Sequence, residues 1–249
     1  MLGGKYVYIV TSARDVSAVF QNFKQLSFNE YVKDVMIRFG ATPEGVSRTW
    51  DSPGSHGGKG EHDTNHVAKS ISHYCERIIR TQLHPGVEMR KLQHDFLNYI
   101  HTSTAWSLIP SSVIHSSTST EKTVSLQGWI QHSLLASVTR VFYGHQILKL
   151  EPRFLEAFSK FDETGWKLMY KIPARFSRDM LESKKIIKSV FDKYFALPVS
   201  EREDACWMVK RLEEELRVGG SGENDISAYL LMLYWGYVDN HLFAFALKI

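Results

Sequence analysis

An apolar run, Ala228-Tyr-Leu-Leu-Met-Leu-Tyr-Trp235, follows Asp225, and the closing segment Phe243-Ala-Phe-Ala-Leu-Lys-Ile249 carries no glycine, asparagine or proline. Soluble helices end where their last carbonyls find partners, most often with help from such residues. The run therefore predicts a helix that lacks part of its packing surface, and a chain that is part of a larger protein. It does not predict a membrane span. The apolar stretch Ala228 to Val238 is interrupted by Asp239, Asn240 and His241, well short of the ~20 residues a bilayer requires.

The chain has 249 residues, 43% of them hydrophobic and 12% aromatic, enough for a sizeable core. Its 30 basic and 27 acidic residues leave +3, and the charges alternate in sign along segments such as Arg202 to Arg217. That pattern points away from a nucleic-acid surface. Cys75 and Cys206 are the only cysteines and match no metal or redox spacing, so a reduced intracellular setting is expected, with each acting as a small buried hydrophobe. The N-terminal Met1 to Val10 has a basic residue and a short apolar stretch, but no small-residue cleavage site, so it does not read as a signal peptide.

Tyr6 to Val10, aromatic and β-branched behind two glycines, reads as a strand. Helical spacing follows up to Asn22 behind Thr11, Ser12 and Asp15, and again over Phe28 to Phe39, closed by Gly40. Residues 41–64, with Pro43, Ser52-Pro-Gly54 and Gly57-Gly-Lys-Gly60, read as a long mobile loop. Helices are expected over His66 to Leu83 and Val87 to Trp106, separated by His84-Pro-Gly86. Pro110 to Thr120 reads as a serine- and threonine-rich connector. Further helices are expected over Val124 to Tyr143, from Glu151-Pro152 onward, over Arg178 to Tyr194, over Val199 to Val218, and from Asp225. The fold class is mostly α with a small β region near the start, in a single domain.

Candidate chemistry is sparse. His56, His62, His66 and His73 lie close together, and His62 and His66 are four apart. No glutamate follows the first of that pair, and the glycines between 54 and 60 lack the lysine-serine or lysine-threonine ending of a phosphate loop, so neither a zinc-hydrolase nor a nucleotide motif is present. Asp162-Glu163 has no partner visible in the sequence, and helix-surface or capping carboxylates are the simpler reading. The trio Asp239-Asn240-His241 sits inside an apolar helix, where desolvating polar groups is costly. It fits either a pocket-facing turn or an exposed helix edge.

Several segments, taken in order, resemble the N-terminal half of a fungal cytochrome P450, a haem-thiolate monooxygenase of the sterol 7α-hydroxylase and prostacyclin synthase branch. They are Gly4 to Ser12 with Asp15 to Val19, Leu26-Ser-Phe28, Phe39-Gly40, Leu83-His-Pro-Gly86, Thr139-Arg-Val-Phe-Tyr-Gly144, Phe161-Asp162 with Trp166, Tyr170-Lys-Ile-Pro173, and Tyr234-Trp235 with Asn240. The resemblance implies a partial cytochrome P450 fold over 1–249 that ends in the long central helix. It further implies a haem cofactor, a reductase partner, and oxygen insertion into a lipophilic small molecule, such as a secondary metabolite or sterol-like compound. Asn240 resembles the asparagine of the oxygen-binding groove, with Trp235 and Asp239 beside the substrate pocket. Arg90, Lys91 and His94 resemble the basic positions that reach haem propionates.

The departures from that family are equally specific. The family's cysteine thiolate lies in a glycine-rich loop, and neither Cys75 nor Cys206 has that context; the Glu-x-x-Arg helix is also missing, as is the upstream membrane anchor of endoplasmic-reticulum members. A truncated gene model or a decayed gene accounts for this pattern. The chain is then expected to be inactive by itself, with Leu230, Leu231, Leu233 and Trp235 forming an exposed apolar face. The alternative is a non-catalytic helical module that binds a ligand or another protein.

Overall fold

The structure is a computed structural model. It describes residues 9–22, 28–51 and 70–246; the side chains of Tyr237 and of residues 239–246 fall outside the description. The described residues are mostly helical with one small sheet, as the sequence predicts. The helices are α1 (Ala13–Gln21), α2 (Asn29–Phe39), α3 (Pro43–Asp51), α4 (Ile71–Leu83), α5 (Val87–Ser103), α6 (Leu126–Tyr143), α7 (Gln146–Leu150), α8 (Phe154–Thr164), α9 (Trp166–Met169), α10 (Arg178–Ala196), α11 (Trp207–Val218) and α12 (Glu223–Ala246).

The sheet is a hairpin of β1 (Ile114–Ser117) and β2 (Lys122–Val124), antiparallel. It falls where the sequence suggests a connector. Thr118 closes the turn: its amide donates to the Glu121 carbonyl at 2.8 Å, and its hydroxyl accepts from the Glu121 amide at 2.9 Å. Side-chain bonds of this kind stabilise a tight turn. The strand expected at Tyr6 to Val10 lies outside the described residues as far as Tyr8, and Ile9 and Val10 belong to no strand.

Residues 43–51 are also a correction, because they form α3 and not loop. Pro43 occupies the first turn, where its missing N–H is harmless, and the Thr42 hydroxyl accepts from the Gly45 amide at 3.0 Å. The remainder of the expected loop, 52–64, lies outside the described residues, as do His56, His62 and His66. The single helix expected over Val199 to Val218 divides into a short 3-10 turn at Val199–Glu201 and α11.

The largest correction concerns α12. Its apolar run is covered by this chain's own helices: Leu230 and Leu231 are 1% and 0% exposed, and Leu233 and Trp235 are part-buried. α12 packs on α2, α6, α10 and α11, while α8 packs on α10 and α5 on α6. A helix that is apolar on every side is a buried one, and this location explains why α12 shows no amphipathic stripe. Its backbone remains helical through Asp239-Asn240-His241.

Polar ties hold this bundle in register. The Arg202 guanidinium, 3% exposed, meets the Glu213 carboxylate at 2.6 and 2.9 Å and also donates to the Leu197 carbonyl. Arg217 adds a bond to the same carboxylate at 2.9 Å. Substituting Glu213→Leu leaves Arg202 buried without its counter-charge, and urea unfolding should register a loss of about 3 kcal/mol or more. Leu231→Ala should cost about 3 kcal/mol through cavity formation, whereas Leu126→Ala, at a residue 64% exposed, should stay within about 0.5 kcal/mol.

Candidate functional site

The densest convergence of side chains lies where α6, α8 and α10 meet the middle of α12. Tyr234 is buried, and its ring centroid lies 4.7 Å from Phe158, 5.5 Å from Tyr143, 5.8 Å from Phe191 and 6.3 Å from Phe154. The Tyr143 ring stands edge-on to Tyr234, the arrangement that the ring quadrupoles favour. A phenol in such surroundings needs a partner for its hydroxyl. Thr139 provides it at 2.5 Å, and the Thr139 hydroxyl also reaches the Leu135 carbonyl at 2.6 Å. Tyr143 donates to the Leu230 carbonyl at 3.1 Å, and Tyr194 to the Tyr143 carbonyl at 2.8 Å. Burial pushes the Tyr234 and Tyr194 hydroxyls well above the usual phenol range. These groups are locked hydrogen-bonding elements and not proton-transfer groups at neutral pH.

Trp235 occupies the adjoining position. Its ring packs on Phe39 at 5.6 Å and Phe161 at 5.9 Å, and its indole N–H donates to the Asp162 carboxylate at 3.1 Å. Gly165 permits this approach, since a Cβ there would stand 3.1 Å from Trp235 Cζ2. The structure therefore places Trp235 in a filled contact between α2, α8 and α12. It also supplies the partner of Asp162 that sequence reasoning missed, 73 residues away. Asp239 and Asn240 share α12 with Trp235, but their side chains lie outside the described residues.

Arg90, Lys91 and His94 are exposed on α5, whose buried face is Leu92 and Phe96. His94 Nε2 lies 3.0 Å from the Asn98 amide nitrogen. α5 packs on α4 and α6, whereas the Trp235 side chain packs on α2 and α8.

A cavity of about 10 Å³ lies between α6, α11 and α12, lined by Phe142, Tyr143, Met208, Val209, Leu212, Leu230, Leu233 and Tyr234. It has room for roughly one water-sized sphere and no more. No group of three or more metal-binding side chains occurs among the described residues. Among the described residues, exposed His145 pairs with Asp204 and fixes the turn after α6: Asp204 also accepts from the His145 amide at 2.8 Å, and Gly144, at φ 68°, leaves space for it.

The two cysteines are thiols. Cys75 is buried, and Cys206 is half-buried with a desolvated sulfur; desolvation pushes both thiols up to about 12. Cys75 packs in the core on α4, and Cys206 is the N-cap residue of α11. Comparison with protein-family models, curated proteins and solved structures finds no match.

The thiol chemistry has two measurable consequences. At pH 8 the thiolate fraction of each native cysteine should be roughly one in ten thousand, so a disulfide reagent should modify both far more slowly in native than in unfolded protein. A thiol whose folded pKa lies above its unfolded value of about 8.5 contributes stability below that pH and loses it as pH rises towards the folded pKa. Unfolding free energy measured between pH 7 and pH 11 should therefore fall, and the double variant Cys75→Ala with Cys206→Ala should show a shallower fall.

Proposed function

We propose that this chain forms the oxygen-facing helical part of a haem-thiolate monooxygenase that acts on a lipophilic small molecule and takes electrons from a reductase. The observation carrying this reading is the convergence of three of the blocks on which the family resemblance rests. Thr139 to Gly144, Phe161-Asp162 and Tyr234-Trp235 meet through the Thr139–Tyr234 and Asp162–Trp235 hydrogen bonds, which span 95 and 73 residues.

In this reading, haem supplies the oxygen chemistry when bound. This chain's contribution is positional. The Tyr234 and Trp235 contacts fix the rotation of α12, and hence which helix face presents Asn240. Neither cysteine is the iron ligand, so the chain by itself inserts no oxygen.

A second reading, a non-catalytic helical module that binds a ligand or another protein, draws on a different observation. The middle of α12 is covered by this chain's own core, and the cavity beside it is too small for a cofactor. Haem supply tests the cysteine assignment that both readings share. Expression with haem supply, followed by reduction under carbon monoxide, should give no thiolate-type absorbance band. A band that disappears in Cys75→Ala or Cys206→Ala would overturn the assignment of the cysteines. For the monooxygenase reading, the transcript beyond codon 249 should encode a cysteine loop and a Glu-x-x-Arg helix. Their absence in every frame, together with cooperative unfolding of a monodisperse haem-free chain, would favour the module.

A further inference from the structure

Residues 96–139 contain one acidic and one basic residue, Glu121 and Lys122, although 23% of the whole chain is charged. Much of this stretch is surface. It runs from the middle of α5 through a short 3-10 turn at Trp106–Leu108 and the hairpin into α6, and both Trp106 to Leu108 and His115 to Glu121 are exposed. Lys122 is itself occupied: its ammonium donates to the Trp106 carbonyl at 2.7 Å and lies 4.9 Å from the centre of the Trp106 ring.

Apolar side chains gather at this uncharged end. Trp106 and Leu108 are 51% and 53% exposed, and Leu126 and Ile130 of α6 are 64% and 47% exposed. Helical spacing puts Leu126 and Ile130 on the same face of α6 as Ser137, whose hydroxyl lies 3.2 Å from that of Ser103, the last residue of α5. Tyr99, one turn earlier in α5, feels the charge of Arg140, about one turn later in α6, so the two helices run antiparallel and α5 stops beside Ser137. Leu126 lies ~16 Å further along α6, at 1.5 Å per residue. The first turns of that face therefore extend past the end of α5. The hairpin adjoins them, because the Ser125 amide donates to the Val113 carbonyl at 2.8 Å. It has no third strand among the described residues, and β1 carries none of the charges or prolines that commonly guard an open edge.

We propose that this end of the molecule, formed by Trp106, Leu108, Leu126, Ile130 and the β1 edge, is the interface through which the chain pairs with a second copy of itself. The lack of charge selects the occupant. A charged partner would find no opposite potential here to steer or register it, whereas two identical neutral surfaces meet without repulsion. The geometry suits the same occupant: a helical stripe crossing itself and a strand edge pairing antiparallel with itself are both closed by a two-fold axis, which makes one patch its own partner. Depletion of charge around an exposed tryptophan is also the composition of an interface core. The inference rests on these surface residues and holds under either reading of function.

Sedimentation equilibrium of the 249-residue chain across the micromolar range tests it. The mass should rise to a plateau at twice 28.6 kDa. Leu108→Glu with Ile130→Glu should weaken the dimer about 100-fold or more, because each copy would bury charge without a partner. Val199→Glu, at an apolar residue 60% exposed outside the patch, should leave the dimer unchanged. Far-ultraviolet circular dichroism of each variant should match the parent, which separates a lost dimer from a lost fold. Ile130→Cys should give a disulfide-linked dimer on mild oxidation, which the parent, with its shielded thiols, should not. A chain that stays monomeric throughout, as it would if another part of a longer protein covers this surface, would overturn the proposal. So would growth past the dimer without a plateau, or a dimer that the folded double variant leaves intact.

Discussion

The architecture depends on enclosing a helix that has no polar face. From Ile226 to Tyr234, almost every side chain of α12 is buried, so the rest of the chain has to surround it. α2, α6, α10 and α11 do so with aromatic and branched side chains, and α8 braces α10 from behind. Within that enclosure the Tyr234 hydroxyl cannot simply be desolvated, since an unpartnered buried hydroxyl costs on the order of 1–3 kcal/mol. Its bond to Thr139 removes the penalty and also fixes the rotation of α12 against α6.

The ends of the elements are tied by charge. Asp225, in the first turn of α12, accepts from the Thr42 amide at 2.7 Å and the Thr42 hydroxyl at 3.0 Å, joining the start of α3 to a residue 183 positions later. Gly45 is needed beside it, because a Cβ there would overlap the Asp225 carboxylate. Lys188 of α10 reaches Asp192, Asn224 and Ser227, and Asn224 donates to the Gly40 carbonyl at 2.9 Å. These ties close long loops of chain, so the fold is assembled from non-local contacts.

The same enclosure bears on function. An aromatic core positions α12, the cavity described between α6, α11 and α12 is about 10 Å³, and burial holds both thiols protonated at neutral pH. Both readings proposed above accept those facts. They differ in whether the C-terminal part of α12 serves a cofactor held elsewhere or is a packing element.

Helical content was legible because apolar spacing and caps are local: Gly40, Gly144 and Pro152 each mark a boundary the structure keeps or shifts by little. The hairpin at 114–124 and the helix at 43–51 were misread because serine, threonine and proline signal several local structures, and only their hydrogen-bond partners select among them. The sequence by itself determined that α12 had to be surrounded by apolar matter, since eleven successive residues from Ala228 to Val238 carry no charge. Only the tertiary structure decided that this chain's own helices supply the matter, that Asp162 belongs to Trp235, and that Thr139 belongs to Tyr234. Those pairings join residues far apart in the chain, and no local spacing rule encodes which distant side chain will fill a given gap.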